Sequence, residues 1–204
     1  MKKIFLAVIA MLSFCGYANA QQDSGTEVSI GVGYSGSYVV DFNNGDAQQI
    51  GGFNAGISAD HYFNDQWSLK VNASYQQKGW ADGYYTDNAG NEVDGVNFKL
   101  NYITVPVMAN WHFGRDRNWY LDCGPYIGFL LSASESSHLL TNTKSLFNST
   151  DAGIALGIGL KIPINDQMHF FIEYSGQAAV TNLNASSSDR LQNATGSLNI
   201  GLGF

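Results

Sequence analysis

Two cysteines, three prolines and a charged fraction of 13% are what this chain of 204 residues has little of, and each scarcity excludes something. Cys15 lies in the N-terminal leader, so Cys123 is the only cysteine left after it and no internal disulfide can form. No stretch approaches the roughly 20 consecutive apolar residues that a membrane-spanning helix requires. Any crossing of a bilayer must therefore use strands. Lys and Arg total only 10 against 17 Asp and Glu. Nucleic-acid binding relies on clustered cations to neutralise phosphates, so it is set aside.

The chain does have a leader. Lys2 and Lys3 precede the apolar run from Ile4 to Phe14, and Ala18-Asn19-Ala20 supplies an A-x-A cleavage site. Residues 1–20 are read as a signal peptide and residues 21–204 as one barrel domain. Phe14 before Cys15 is bulky where a lipid-attachment motif has a small residue, so plain cleavage near Gln21 is expected. Loss of two lysines and no acids takes the formal charge from -7 to -9.

What dominates the remainder is alternation. Ala152, Ile154, Leu156, Ile158, Leu160 and Ile162 are separated by Gly153, Ala155, Gly157, Gly159 and Lys161. Successive side chains of a strand point to opposite faces, so this is a ribbon with one oily face and one small or polar face. Similar rows are Val28 to Tyr34, Phe53 to Ala59, Trp67 to Tyr75, Ile103 to Trp111, Trp119 to Leu131, Phe170 to Tyr174 and Leu198 to Phe204. With the first row they predict an all-β fold: an eight-stranded antiparallel up-and-down transmembrane β-barrel. Mean hydropathy of -0.11 hides this, because outward apolar residues are averaged with inward polar ones.

Connections after strands two, four and six are short, and those after one, three, five and seven are long and polar. Short periplasmic turns and long extracellular loops are the asymmetry of an outer-membrane barrel. The oily rows carry no Asp, Glu, Lys or Arg. Trp67, Trp111, Phe113, Trp119 and Phe170 lie near the short turns, where an aromatic girdle belongs, and Tyr34, Tyr75 and Phe129 suit the other girdle. A soluble sandwich or lipocalin-like barrel also alternates, but the face opposite the oily rows is crowded with Gly and Ser, too small to cover a soluble exterior.

An interior of eight strands is just wide enough for side chains to fill, so a large pore is not expected. The inward charges need partners. Asp60 with Lys70 and Asp122 with Lys161 are the expected pairs, and Glu173 has no assigned donor. A proton path is the alternative use of these charges. Pro106 and Pro125 are expected to mark bulges, with Pro106 opposite Tyr126.

Tyr102-Ile103-Thr104-Val105-Pro106 and Tyr120-Leu121-Asp122-Cys123-Gly124-Pro125-Tyr126 resemble the Tyr-Leu-Glu-Ile-Pro and Tyr-Leu-x-x-Gly-Pro-Tyr strands of the PorT-like outer-membrane β-barrel family, also called the porin family. Weaker echoes are Tyr75-Gln76-Gln77-Lys78-Gly79 and Phe171-Ile172-Glu173-Tyr174. Thr104 stands where the family commonly has Glu, and Cys123 where a small residue is usual. The resemblance implies a small barrel in the outer membrane. One branch of the family serves a protein-secretion machine.

Candidate chemistry is sparse. Ser134, Ser136 or Ser137 beside His138 is the one conceivable Ser and His pair for a lipid hydrolase or acyltransferase. Residues one or two apart rarely build a site, and serine-rich loops are usually solvated. Asp82, Asp87, Asn88, Asn91, Glu92 and Asp94 could offer oxygen ligands to Ca²⁺, yet their spacing is not an EF-hand, and Asp87 to Asn91 reads better as a hairpin turn. Trp80, Tyr84 and Tyr85 nearby could contact a glycan or protein. The reading is a non-enzymatic outer-membrane protein with no catalytic, cofactor or metal residues. It is a monomer in contact with membrane lipids, and its loops offer a contact surface to an extracellular or envelope protein. A lipid-modifying enzyme, a solute channel and a secretion-machine subunit are the alternatives.

Overall fold

The computed structural model describes residues 25–41, 48–86, 92–137, 143–185 and 190–204. The expected signal peptide lies outside them, as do the Asp87 to Asn91 turn and His138. The strands are β1 (Thr26–Asp41), β2 (Ile50–Asn64), β3 (Trp67–Thr86), β4 (Glu92–Phe113), β5 (Trp119–Glu135), β6 (Thr150–Asn165), β7 (Met168–Ala179) and β8 (Leu191–Gly203). Each pairs antiparallel with its sequence neighbours, and β1 pairs with β8 to close the barrel. A 3₁₀ turn, Thr143–Leu146, lies in the β5–β6 connection.

Burial decides which side of the wall faces what. Val32, Leu156 and Leu198 are 57%, 56% and 55% exposed, whereas inward Lys70, Asp122 and Glu173 are 7%, 2% and 7% exposed. An oily exterior around a charged interior is the inverse of a soluble barrel and requires hydrocarbon outside. At the short-turn end the outward rings of Trp67, Trp111, Phe113 and Trp119 run side by side, with centroids 5.0 to 6.4 Å apart. Exposed Tyr34, Phe129 and Tyr174 mark the other margin. From Trp119 to Phe129 the strand rises about 33 Å, or about 25 Å along the normal once tilted by about 40°, the height of a bilayer's apolar band.

The short turns are built by local hydrogen bonds. Asn64 Oδ1 accepts from the backbone N–H groups of Gln66 and Trp67 at 2.9 and 3.0 Å, and Asn165 Oδ1 accepts from that of Gln167 at 2.9 Å. Asn64→Ala should cost about 1 kcal/mol of unfolding free energy, read from urea titration in lipid vesicles. Gly114, at φ +88°, supplies the left-handed corner of the β4–β5 turn.

The prolines behave differently from expectation. Pro106 does face Tyr126, but the register is the same at Ala109 and Cys123, so neither Pro106 nor Pro125 shifts it. Pairing lapses between Val107-Met108 and Gly124-Pro125 and then resumes unchanged. A missing N–H removes one ladder bond without requiring an extra residue. Gly124 lets the two strands close up there, since a Cβ would sit 2.0 Å from the Val107 carbonyl oxygen. Register shifts fall instead at Tyr62/Asn64, Trp80/Gly83, Gly83/Tyr85, Asn101/Tyr102 and Pro163/Asn165. β6 also continues through Pro163 to Asn165.

Candidate functional site

The lumen holds three layers of side chains. Nearest the short turns, Lys161 on β6 donates to Glu27 on β1 and to the Tyr62 hydroxyl on β2, and Tyr62 in turn donates to Glu27 at 2.8 Å. His169 Nδ1 lies 2.9 Å from Glu27, and Asp60 accepts from Asn110 Nδ2 at 2.9 Å while lying 3.8 Å from Lys161. Above this, Lys70 on β3 donates to Asp122 on β5 at 2.8 Å and to Glu173 on β7, and the Tyr120 hydroxyl donates to Glu173 at 2.9 Å. The Lys70 ammonium also sits 4.8 Å from the centre of the Tyr120 ring. Higher still, Lys78 donates to Asp151 at 2.9 Å between the faces of Tyr102 and Tyr126.

Neither expected ion pair takes the form read from the sequence. Asp60 and Lys70 do face each other in register, but Lys70 turns across the lumen to β5 and β7. Asp122 pairs with Lys70 rather than Lys161, which belongs beside Asn118, four residues nearer the short turns than Gly157, the register partner of Asp122. At about 3.3 Å per residue, that is about 13 Å of strand. A lumen this narrow brings non-adjacent strands within reach of one side chain, and two carboxylates on one ammonium offset more desolvation than a neighbour pair would. The donor that Glu173 lacked is Lys70, assisted by Tyr120.

The long-loop end is a feature that alternation in the oily rows did not reveal. Val39, Trp80, Val96, Phe98, Leu100, Tyr102, Leu130 and Leu183 pack into one buried apolar cluster, joined by Phe147 and Leu191. Trp80 stacks on Phe98 with centroids 4.7 Å apart, and Phe147 meets both edge-on. The signal was present in β4: from Val96 to Tyr102 the even positions are apolar and buried, while Asn97 and Lys99 are exposed. Below that point the outward odd positions Ile103, Val105 and Val107 are the oily ones. The greasy face thus changes side where the strand leaves the hydrocarbon, and the wall above is an ordinary water-soluble β structure. The long connections are tied into it. Asn148 N donates to the Leu183 carbonyl at 2.8 Å and Ala185 N to that of Leu146 at 3.0 Å, while Lys144 Nζ caps the Leu131 carbonyl at 3.0 Å.

Of the candidate enzyme residues, His138 lies outside the described residues. Ser134 is exposed on β5 opposite Lys99, Ser136 Oγ accepts from the Asn97 N–H at 3.0 Å, and Ser137 is bonded to Glu135. Among the described residues no group of His, Cys, Asp and Glu is arranged to hold a metal ion. Asp82 is occupied by Gln48 Nε2 at 3.1 Å. Asp82 and Asp94 lie on β3 and β4, which pair as far as Thr86 and Glu92.

No curated protein matches the sequence significantly. Among solved structures, Neisserial surface protein A (NspA) is 17% identical with a TM-score of 0.51, the alignment covering 89% of this chain and 98% of that one. The outer membrane protein OprG from Pseudomonas aeruginosa is 12% identical with a TM-score of 0.53, covering 89% and 96%. At these identities the likeness is one of fold. The profile of the outer membrane protein beta-barrel domain matches residues 17–184. With its closed eight-stranded wall and oily exterior, the chain belongs to the outer membrane protein beta-barrel domain family and resides in the outer membrane.

Proposed function

We propose that this protein is a non-enzymatic, monomeric interaction module: a rigid barrel that holds a packed headpiece outside the membrane for contact with an extracellular or envelope protein. The short turns face the periplasm and the long connections face outward. The observation that carries the reading is the apolar core under the long connections, centred on Trp80, Phe98 and Phe147. An anchor alone needs no such core. Mobile loops need none either, since ordering them costs about 1–2 kcal/mol per residue that only a function would retain. Exposed Tyr84, on the hairpin that rises from this core, supplies the kind of amphipathic surface that interfaces use.

The packed long-loop end of the lumen argues against a solute channel, with Leu100 and Tyr102 both 0% exposed. A secretion-machine subunit, suggested by the resemblance of Tyr102 to Pro106 and Tyr120 to Tyr126 to PorT-like strands, is one form that partnership with an envelope protein would take. The test is a photo-crosslinking amino acid at position 84, paired with conductance recording in planar bilayers. The expected result is a discrete crosslinked species on intact cells and electrical silence. Conductance steps from the unmodified protein would establish a channel instead, and altered acylation of envelope lipids in a deletion strain would establish an enzyme.

A further inference from the structure

We propose that the lumen is a blind vestibule: small cations and water enter at the short-turn mouth, reach an amide-lined chamber at mid-depth, and are stopped by the apolar cluster at the long-loop end. Assigning that mouth to the periplasm rests on the orientation proposed above, whereas the sidedness relative to the long loops does not.

Three cavities stand in series. The first opens among Gly25, Glu27, Tyr62, Asn118, Asp166 and His169, all at the short-turn end. It shares Lys161 and His169 with a second, lined also by Asp60, Lys70 and Tyr120. That one shares Ser58 and Lys70 with the third, a chamber walled by Asn54, Asn72, Gln76, Gln177, Ser175 and Asn199. The shared walls set the three cavities in series, with the Lys161 and Lys70 side chains at the two junctions that the proposed path crosses.

Two independent observations say what the path takes. In the chamber, Asn54 Nδ2, Asn72 Oδ1, Gln177 Oε1 and Asn199 Oδ1 are buried without a hydrogen-bond partner. Buried amides left that way are costly, and a polar cavity with several of them is a site for water or a hydrated ion. Charge then sets the sign. Glu27, Asp60 and Glu173 line the path against two lysines, Lys70 and Lys161, and Lys70 is further shared with Asp122 behind it, so carboxylates outnumber ammonium groups. Asp60 Oδ1 and Asp122 Oδ1 each lack a hydrogen-bond partner. An excess of carboxylate in a low-dielectric passage attracts cations and excludes anions. Beyond the chamber the path ends, because Lys78 is held by Asp151 and capped by Leu100 and Tyr102, at 1%, 0% and 0% exposure.

Silver ion, a small monovalent cation that replaces the proton of a thiol to give S–Ag and H⁺, is the probe. In a Cys123→Ser background, Ser175→Cys places a thiol in the chamber and Leu100→Cys places one in the cluster above. Each protein is reconstituted into vesicles and exposed to Ag⁺ in nitrate buffer on the outside only. Protease cleavage of the long loops then sorts the molecules by orientation, and unreacted thiol is counted by maleimide after denaturation. The expected result is reaction at Ser175→Cys at least tenfold faster in molecules whose loops are protected inside, and no reaction at Leu100→Cys in either population. Equal rates from both sides would mean a through-path, no reaction from either side would mean a sealed lumen, and faster reaction from the loop side would mean the reverse opening. Any of these overturns the proposal. Ser197→Cys, on the neighbouring strand of the same chamber, is the second variant if Ser175→Cys fails to fold, as judged by migration before and after boiling. Protease access on intact cells tests the cellular orientation separately.

Discussion

Lys70→Met should destabilise the barrel by about 3–5 kcal/mol, the cost of removing one member of a buried ion cluster and leaving its partners uncompensated. Lys70 is the cation shared by Asp122 and Glu173, and those two carboxylates are 2% and 7% exposed. Without the ammonium, two buried carboxylates face each other across the lumen with no fixed counter-charge. The measurement is equilibrium unfolding by urea in lipid vesicles, followed by tryptophan fluorescence and by migration of unboiled samples. A triple variant, Lys70→Met with Asp122→Asn and Glu173→Gln, should recover most of the loss, because the penalty comes from the orphaned charges rather than from the missing contact. A single substitution that costs less than 1 kcal/mol would mean that the cluster is solvated and contributes little.

Leu156→Arg should cost about 2–4 kcal/mol in the same assay, the price of a guanidinium at the bilayer midplane. Leu156 points outward at 56% exposure and lies level with Cys123 on β5, midway between the Trp119 and Phe129 margins. The same substitution at Ile164, also exposed but at the last outward position of β6, should cost no more than about 1 kcal/mol, since the penalty fades toward the interface. It is this gradient that discriminates. A soluble barrel with a merely unusual surface would tolerate arginine equally at both positions.

Much of the fold was legible because the information is local. Alternation in the row from Ala152 to Ile162 needs only neighbouring residues to declare a two-faced strand, and absence of charge from one face is enough to say that the face meets lipid. Short turns follow from Asn64 and Gly114 for the same reason. The apolar cluster at the long-loop end was also written in the chain, at Val96, Phe98, Leu100 and Tyr102, but on the opposite parity, so a search confined to the outward rows passes over it.

The ion partners were a different matter. Asp60 and Lys70 are neighbours by register, and nothing within β2 and β3 says that Lys70 will turn away to Asp122 and Glu173. That choice depends on closure of β1 onto β8, on the relative shift of strands around the ring, and on a lumen narrow enough for one lysine to reach strands β5 and β7. The unshifted register at Pro106 and Pro125 likewise depends on how closely Gly124 approaches β4. By itself the sequence determined the strands, their oily face and the membrane they belong in, because each is set by side chains two residues apart. Only the closed tertiary structure decided which charges meet, where the lumen stays open and where it is stopped, because those contacts run across the barrel between residues as distant in the chain as Lys70 and Glu173.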